Sequence, residues 1–289
     1  MKILVLGASG LLGHMVCRTL SESSRLSVYG TFRNELAKKK VFQRIKANPV
    51  KVNDLSDGVE LSKVIEDYDP QIIVNCLSTK KDQQQDWSST LSIYSYIPRM
   101  LDQFTHDKST RIITLSSDAI FSGRLGSYTE SDIPDDESVY GRSKFLGEIS
   151  GKSRVTIRTS MIGHSLFANE GLLDWLLKQK SSCNGYVDYM FSGLTTVQIA
   201  KFLRDVLIPR NDINGVYNLA AERISKYDLL QLINEIYELG LTINKQPGDF
   251  VDRSLNPDKL YKSTGYKAPE WHTMIEEMRQ DYRENILGV

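Results

Sequence analysis

The chain has 289 residues, with 36 Lys and Arg against 36 Asp and Glu, 40% hydrophobic residues and 25% charged ones; these are the values of an ordinary globular protein long enough to bury a core without staples. A formal net charge of zero leaves no global field to collect nucleic acid or an anionic membrane, so neither is an expected partner and any anion must be bound locally. Three cysteines, Cys17, Cys76 and Cys183, have no even count to pair and no ligand spacing, which argues against a disulfide framework and against a metal site.

Ile3 to Leu6 is an uninterrupted apolar run, the pattern of a strand buried on both faces. It is too short for a membrane span, and the glycines behind it interrupt what a signal sequence needs, which points to a reducing, cytoplasmic setting. Helix-compatible residues follow from Leu11 to Ser21. Leu26 to Gly30 then reads as a second strand, Val59 to Tyr68 as an amphipathic helix, Ile72 to Cys76 as another buried strand and Leu91 to Phe104 as another helix. Arg111 to Leu115 and Val155 to Ile157 supply further strands, separated by a helix from Tyr140 to Ile149. This alternation predicts a doubly wound α/β fold, because parallel strands need crossovers and right-handed crossovers place helices on both faces of the sheet. Past Phe167 the rhythm changes to helices at Leu172 to Lys178, Thr196 to Val206, Ser225 to Tyr237 and Trp271 to Tyr282, with few strand signals between them. The expected organisation is a dinucleotide-binding Rossmann domain over residues 1–165 and a smaller, mostly helical substrate lobe over 166–289, with the chain crossing between them more than once.

The first chemical signal is Gly7-Ala8-Ser9-Gly10-Leu11-Leu12-Gly13, directly after the first strand and opening the first helix. Gly7 permits a tight turn, Gly10 lets backbone approach a pyrophosphate at the helix N-terminus, and Gly13 allows close packing of helix on strand. At the end of the second strand, where an acid would bond the ribose hydroxyls of NAD(H), the chain carries Thr31 and Arg33, which suit a 2′-phosphate; NADP(H) is favoured, with NAD(H) as the alternative. Asp54 is a candidate for the adenine amino group or for a helix N-cap. The run Lys38-Lys39-Lys40 reads as a solvated face close enough to Arg33 to help attract that phosphate.

The second signal is Tyr140 and Lys144, four residues apart and so on one helix face. An ammonium there favours the phenolate and is expected to draw the tyrosine pKa down, making a general acid or base. Upstream, Arg111 to Leu115 leads into Ser116 and Ser117 at the carboxyl end of a buried strand, where ligands sit in such sheets. A serine hydroxyl there is suited to a substrate carbonyl. The four histidines, His14, His106, His164 and His272, form no ligand constellation and read as surface or packing residues; Trp87, Trp175 and Trp271 read as core or interface aromatics.

Together Gly7 to Gly13, Ser117, and Tyr140 with Lys144 resemble the extended short-chain dehydrogenase/reductase superfamily, and within it the chain resembles the dTDP-4-dehydrorhamnose reductase group over nearly its whole length. Ser116 to Gly123 is similar to that group's Ser-Thr-Asp-Tyr-Val-Phe-x-Gly segment, which places Ser117 at the catalytic hydroxyl. Val74-Asn75-Cys76 is similar to its Val-Asn-Ala strand end, and Arg158-Thr159-Ser160 to its Arg-Thr-Ser stretch beside the nicotinamide. Asp252-Arg253-Ser254-Leu255 falls where the group carries a segment over the bound sugar nucleotide, with Arg253 suited to fork onto a diphosphate. The resemblance implies a catalytic set of Ser117, Tyr140 and Lys144. It implies a cofactor set of Gly7, Ser9, Gly10, Leu11, Leu12, Gly13, Thr31, Arg33, Asp54, Leu55, Asn75, Cys76, Leu77, Tyr140 and Lys144. Ser117, Asp118, Met161 and Arg253 make the substrate set.

Two departures bear on the substrate: Ala119 stands where the group has Tyr, and Met161 where the rhamnose reductases carry Trp. The function implied is reduction of a 4-keto-6-deoxy sugar nucleotide, as in deoxysugar and surface-polysaccharide biosynthesis, with the nucleotide-diphosphate sugar as substrate. A sugar-nucleotide epimerase that retains NAD is one alternative. A dehydratase is disfavoured because Ala119, and not Glu, follows Asp118. A third reading is a non-catalytic NADP-binding subunit, since the regulatory subunit of methionine adenosyltransferase resembles the same group. Pairing through the helix that carries Tyr140 is common in the superfamily, so a homodimer is an expectation.

Overall fold

Alternate residues of the first strand, Lys2–Leu6 (β1), enter two different cores: Ile3 and Val5 pack on one side, Leu4 and Leu6 on the other. That is the burial a period of two imposes on a strand covered on both faces. The computed structural model describes residues 1–43, 45–79, 86–167 and 171–287. Five more strands follow in the first part of the chain: Ser27–Phe32 (β2), Asn48–Lys51 (β3), Ile72–Asn75 (β4), Arg111–Ser117 (β5) and Arg154–Thr159 (β6). Helices Gly13–Ser21 (α1), Glu35–Phe42 (α2), Gly58–Tyr68 (α3), Trp87–Leu91 (α4), Ile97–Phe104 (α5) and Val139–Leu146 (α6) connect them.

After β6 the chain leaves the sheet through short strands Met161–Ile162 (β7), Ser182–Tyr186 (β8), Tyr189–Phe191 (β9) and Leu194–Thr195 (β10), with helices Leu172–Leu176 (α7) and Thr196–Phe202 (α8). It returns to add Gly215–Asn218 (β11) beside β6. The remainder comprises Ile224–Ser225 (β12), Lys226–Ile236 (α9), Thr242–Gln246 (β13), Val251–Asp252 (β14), Asp258–Thr264 (α10) and Trp271–Asp281 (α11).

The central sheet has seven strands in the order β11-β6-β5-β4-β1-β2-β3, and every pairing in it is parallel. Strand order therefore reverses between β1 and β4, opening a crevice outside their carboxyl ends. The doubly wound sheet is the predicted one, and its last strand comes from beyond residue 166.

Three sequence expectations are corrected. The segment Leu91 to Phe104 is not one helix: a π-helical turn, Ser92–Tyr96, lies between α4 and α5. The helix from Tyr140 stops at Leu146, where Gly147 comes so close to the preceding elements that a Cβ would lie 1.7 Å from the Tyr94 carbonyl oxygen. Between the helices of the second half lie small sheets where few strands were expected, such as the parallel pair β8 and β13. β8 alternates buried and exposed over only five residues and β13 has a single buried position, too little to stand out from a loop. Trp271 is a core aromatic, whereas Trp87 and Trp175 are about half exposed and lie outside the core. His14 and His164 are packing residues, and burial pushes the His14 imidazole down to about 4. No helix among the described residues is long and apolar enough to cross a membrane.

Candidate active site

The glycine turn is built from two different demands. Gly7 ends β1 with φ +80°, and a Cβ on Gly13 would lie 2.0 Å from the Gly7 carbonyl oxygen, so the chain's own packing requires both glycines. At Gly10 the nearest atom to a hypothetical Cβ is 3.4 Å away, an ordinary contact. Nothing among the described residues explains a bare backbone there. It lies ahead of α1, whose N-cap Leu12 makes no side-chain capping bond, leaving helix-terminal N–H groups for an anion such as a pyrophosphate. His14 Nδ1–H donates to the Gly10 carbonyl at 2.9 Å and steadies the turn from behind.

Thr31 is buried, and its hydroxyl accepts from the Gly7 N–H at 2.9 Å while its carbonyl accepts from Ala8 N–H at 3.1 Å. It shapes the turn, which leaves Arg33, exposed and without a hydrogen bond or ion pair among the described residues, as the basic group suited to a 2′-phosphate. Asp54 is exposed and accepts from Ser56 N–H and Oγ, which holds its carboxyl low; the cap of α3 is Asp57. Leu55 is buried in the core beneath. The lysine run is not simply solvated: Lys40 donates to the Leu166 carbonyl at 2.8 Å and stands 4.6 Å above the Phe167 ring.

Ser117 is the last residue of β5; its Oγ accepts from Ala119 N–H at 3.1 Å and donates to Asp118 Oδ1 at 3.2 Å. Helix α6 is pressed against that turn, since a Cβ on Gly141 would lie 2.4 Å from the Ala119 carbonyl oxygen. The next residue before it is Tyr140, and Lys144 follows one turn later. Lys144 Nζ donates to the Leu115 carbonyl at 2.9 Å and stands 4.2 Å above the Tyr94 ring. Tyr94 in turn meets Tyr140 edge to face, with centroids 5.2 Å apart and planes at 87°.

The expected lowering of the tyrosine does not occur. Burial pushes the Tyr140 phenol well above its ordinary value, Tyr94 adds to the rise and the Ser117 hydroxyl opposes it. Burial likewise lowers Lys144 to about 8, while Cys76 and Glu148 act in the opposite direction. Desolvation outweighs the pairing that the four-residue spacing suggested, because the ammonium is directed at Leu115 and Tyr94. Tyr140 therefore keeps its proton at neutral pH.

Arg158 does not reach into the site. It is buried behind it, donating to both oxygens of Glu148 at 2.9 and 2.8 Å, while Ser116 Oγ donates to the same carboxylate at 2.7 Å. Removing one member of a buried pair leaves the other charge uncompensated, so Glu148→Ala is expected to cost about 3–5 kcal/mol of stability in urea unfolding; a loss under about 1 kcal/mol would show that water reaches Arg158.

These groups open onto a cleft of about 1220 Å³. Of the anticipated residues, Leu11, Leu12, Cys76, Leu77, Ser117, Asp118, Tyr140, Lys144, Met161 and Arg253 line it. Gly7, Ser9, Gly10, Gly13, Thr31, Arg33, Asp54, Leu55 and Asn75 do not; Asn75 is buried, its Oδ1 accepting from Leu77 N–H at 3.2 Å. Arg253 donates to Asp136 Oδ2 at 3.0 Å, and its buried Nε–H has no partner among the described residues. The sequence reading missed Tyr94, Lys178, Tyr189 and Lys226 on the cleft wall, and it took Trp175, also on that wall, for a core or interface aromatic. Isolated tyrosines and lysines of this kind carry no spacing that would have singled them out.

A sheet that reverses beside a glycine turn, with bare backbone ahead of its first helix and a hydroxyl, a phenol and an amine gathered at the next strand ends, has the architecture of the extended short-chain dehydrogenase/reductases. Within that class the chain belongs to the family described as RmlD substrate binding domain, which matches residues 1–284. A dTDP-4-dehydrorhamnose reductase of Aggregatibacter actinomycetemcomitans is 28% identical over 96% of this chain and 98% of its own length. Methionine adenosyltransferase 2 subunit beta of Rattus norvegicus is 29% identical over 51% of this chain, and there the chain spans only 41% of the relative's length. Among solved structures, a dTDP-4-dehydrorhamnose reductase of Bacillus anthracis in complex with NADP superposes with a TM-score of 0.76 at 17% identity, covering 97% of this chain and 99% of that one. A UDP-glucose 4-epimerase of Thermotoga maritima, with UDP-glucose, gives 0.81 at 15% identity over 99% and 100%. At those identities the likeness is one of fold.

Proposed function

We propose that the protein reduces a 4-keto-6-deoxy sugar nucleotide with NADPH, Ser117, Tyr140 and Lys144 forming the catalytic set. The observation that carries this reading is that all three, from β5 and α6, line one cleft together with Arg253 from the far end of the chain. The full-length relative named as a dTDP-4-dehydrorhamnose reductase supports the substrate class, and Met161 in place of tryptophan is the reason to leave the sugar open among related keto sugars.

Gly10 and the open start of α1 would hold the pyrophosphate of the cofactor, and Arg33 its 2′-phosphate. When bound, the reduced nicotinamide supplies the hydride that the keto carbon accepts. Ser117 Oγ turns from Asp118 to donate to the substrate carbonyl oxygen. Tyr140 gives its proton to that oxygen as negative charge develops there, and the transfer runs toward the oxygen because an alkoxide is a stronger base than a phenolate. The Lys144 ammonium then stabilises the phenolate left behind. Arg253, with a spare Nε–H, suits a diphosphate oxygen.

Lys144 is lowered from 10.5 to about 8, so its positive charge is present below that pH and lost above it. Accordingly kcat/KM for reduction is expected to fall as pH rises through about 8, with no matching loss on the way down to neutral pH; a profile level to the alkaline limit would contradict the role given to the ammonium.

The test of the reading is a set of freshly made dTDP-, UDP- and GDP-linked 4-keto-6-deoxy sugars with NADPH or NADH, following nicotinamide oxidation. Consumption of NADPH with one of them is expected. The half-chain match to a methionine adenosyltransferase subunit favours one second reading, a non-catalytic NADP-binding subunit. It prevails if NADPH binds, no sugar consumes it and a partner enzyme co-purifies. Turnover of a sugar with retained NAD and no net oxidation would mark an epimerase.

A further inference from the structure

We propose that Tyr94 is a positioning residue of this site, one buried aromatic ring that holds the Lys144 ammonium on its face and the Tyr140 ring against it. The proposal rests on the reading of Tyr140 and Lys144 given above. Three observations carry it.

Tyr94 is 4% exposed and lies in the π-helical turn Ser92–Tyr96. Such turns are rare and recur at functional sites. Its far end is anchored, because the phenolic oxygen accepts from Thr79 N–H at 2.9 Å and shares a hydrogen with Thr79 Oγ1 at 3.1 Å. Its backbone is fastened to the helix that carries the two reacting groups. The Tyr94 carbonyl leaves no room for a side chain at Gly147, and Ser95 Oγ donates to the Ser143 carbonyl at 2.8 Å.

The contact with Lys144 is the consequence. The Nζ lies 4.2 Å above the ring, and among the described residues its one hydrogen bond goes to the Leu115 carbonyl. The other titratable groups acting on it are Cys76, at the end of β4, and Glu148, beyond α6. Burial raises the Cys76 thiol to about 12, so it carries no charge at neutral pH, and the Glu148 carboxylate is already forked by Arg158. An aromatic face attracts a cation through its quadrupole, more strongly where water is excluded. The ring therefore favours the charged form of Lys144 while its edge-to-face contact fixes Tyr140.

The experiment reads Lys144 directly and without a sugar substrate. In the whole protein, acylation of Lys144 by acetic anhydride is followed against pH by mass spectrometry of the peptide that contains it. The wild-type inflection is expected near about 8. Tyr94→Phe keeps the ring and should leave it there, whereas Tyr94→Leu should move it down by about one pH unit. Tyr94→Met fills the same space with an unbranched chain and is read in the same way if the leucine variant does not fold. An inflection that stays in place without the ring, or that moves as far with Phe as with Leu, overturns the proposal. In parallel, the falling limb of kcat/KM should move with the inflection, while the KM for NADPH changes less than kcat. A shifted inflection in a protein that reduces no keto sugar upholds the role of Tyr94 and refutes the reductase reading instead.

Discussion

Replacing Tyr140 by Phe is expected to lower kcat by about 10²–10⁴-fold, the usual contribution of a positioned general acid, and to leave the dissociation constant for NADPH within about twofold. The phenylalanine ring retains the edge-to-face packing on Tyr94, and the Ser138 cap of α6 is untouched, so neither the helix nor the cleft loses a support. What disappears is the single proton that burial holds on the phenol. Without it the developing alkoxide has Ser117 alone as donor. Single-turnover reduction measured beside cofactor titration by fluorescence separates the two quantities. A variant within about tenfold of wild type in kcat would assign the proton to another group.

The second large effect is a contrast between two glycines in one turn. Gly13→Ala is expected to prevent folding or to cost more than about 4 kcal/mol, because its methyl would have to occupy space 2.0 Å from the Gly7 carbonyl oxygen, a backbone atom that cannot swing aside. Gly10→Ala is expected to fold with an unchanged melting temperature, since its methyl meets nothing nearer than 3.4 Å. Its damage falls on the ligand: the added carbon stands where a pyrophosphate approaches the backbone, and NADPH affinity should drop by about tenfold or more. Thermal melts and NADPH titrations of the two variants decide the matter. If Gly10→Ala binds the cofactor as wild type does, the turn is structural and the anion site lies elsewhere.

Much of this molecule is legible in its sequence, for reasons that sit in particular residues. Strands covered on both faces must be apolar throughout, so Ile3 to Leu6 and Ile72 to Val74 announce themselves, and the glycine turn between strand and helix is set by local chain geometry. The place of Ser117 on the cleft wall was legible because strand ends in such a sheet open onto the ligand crevice. Three things were hidden, each depending on partners remote in the chain. The five-residue strands β8 and β13 pair with each other across some sixty residues, and neither has a periodic signal of its own. The π-helical turn at Ser92–Tyr96 is invisible in a pattern that continues smoothly from helix to helix. The direction of the Tyr140 shift was misread because a spacing of four residues says that two side chains share a face, but not that the amine is turned toward the Leu115 carbonyl and the Tyr94 ring.

The most direct test of the central claim is the fate of a label. The candidate keto sugar nucleotide would be incubated with NADPH deuterated at the transferred position of nicotinamide C4, and the product analysed by mass spectrometry and proton NMR. One deuterium on the former keto carbon for each NADPH oxidised is the predicted result, and its absence in the Tyr140→Phe variant over the same interval completes it. Conversion of the sugar with no deuterium gained and no nicotinamide consumed would contradict the account.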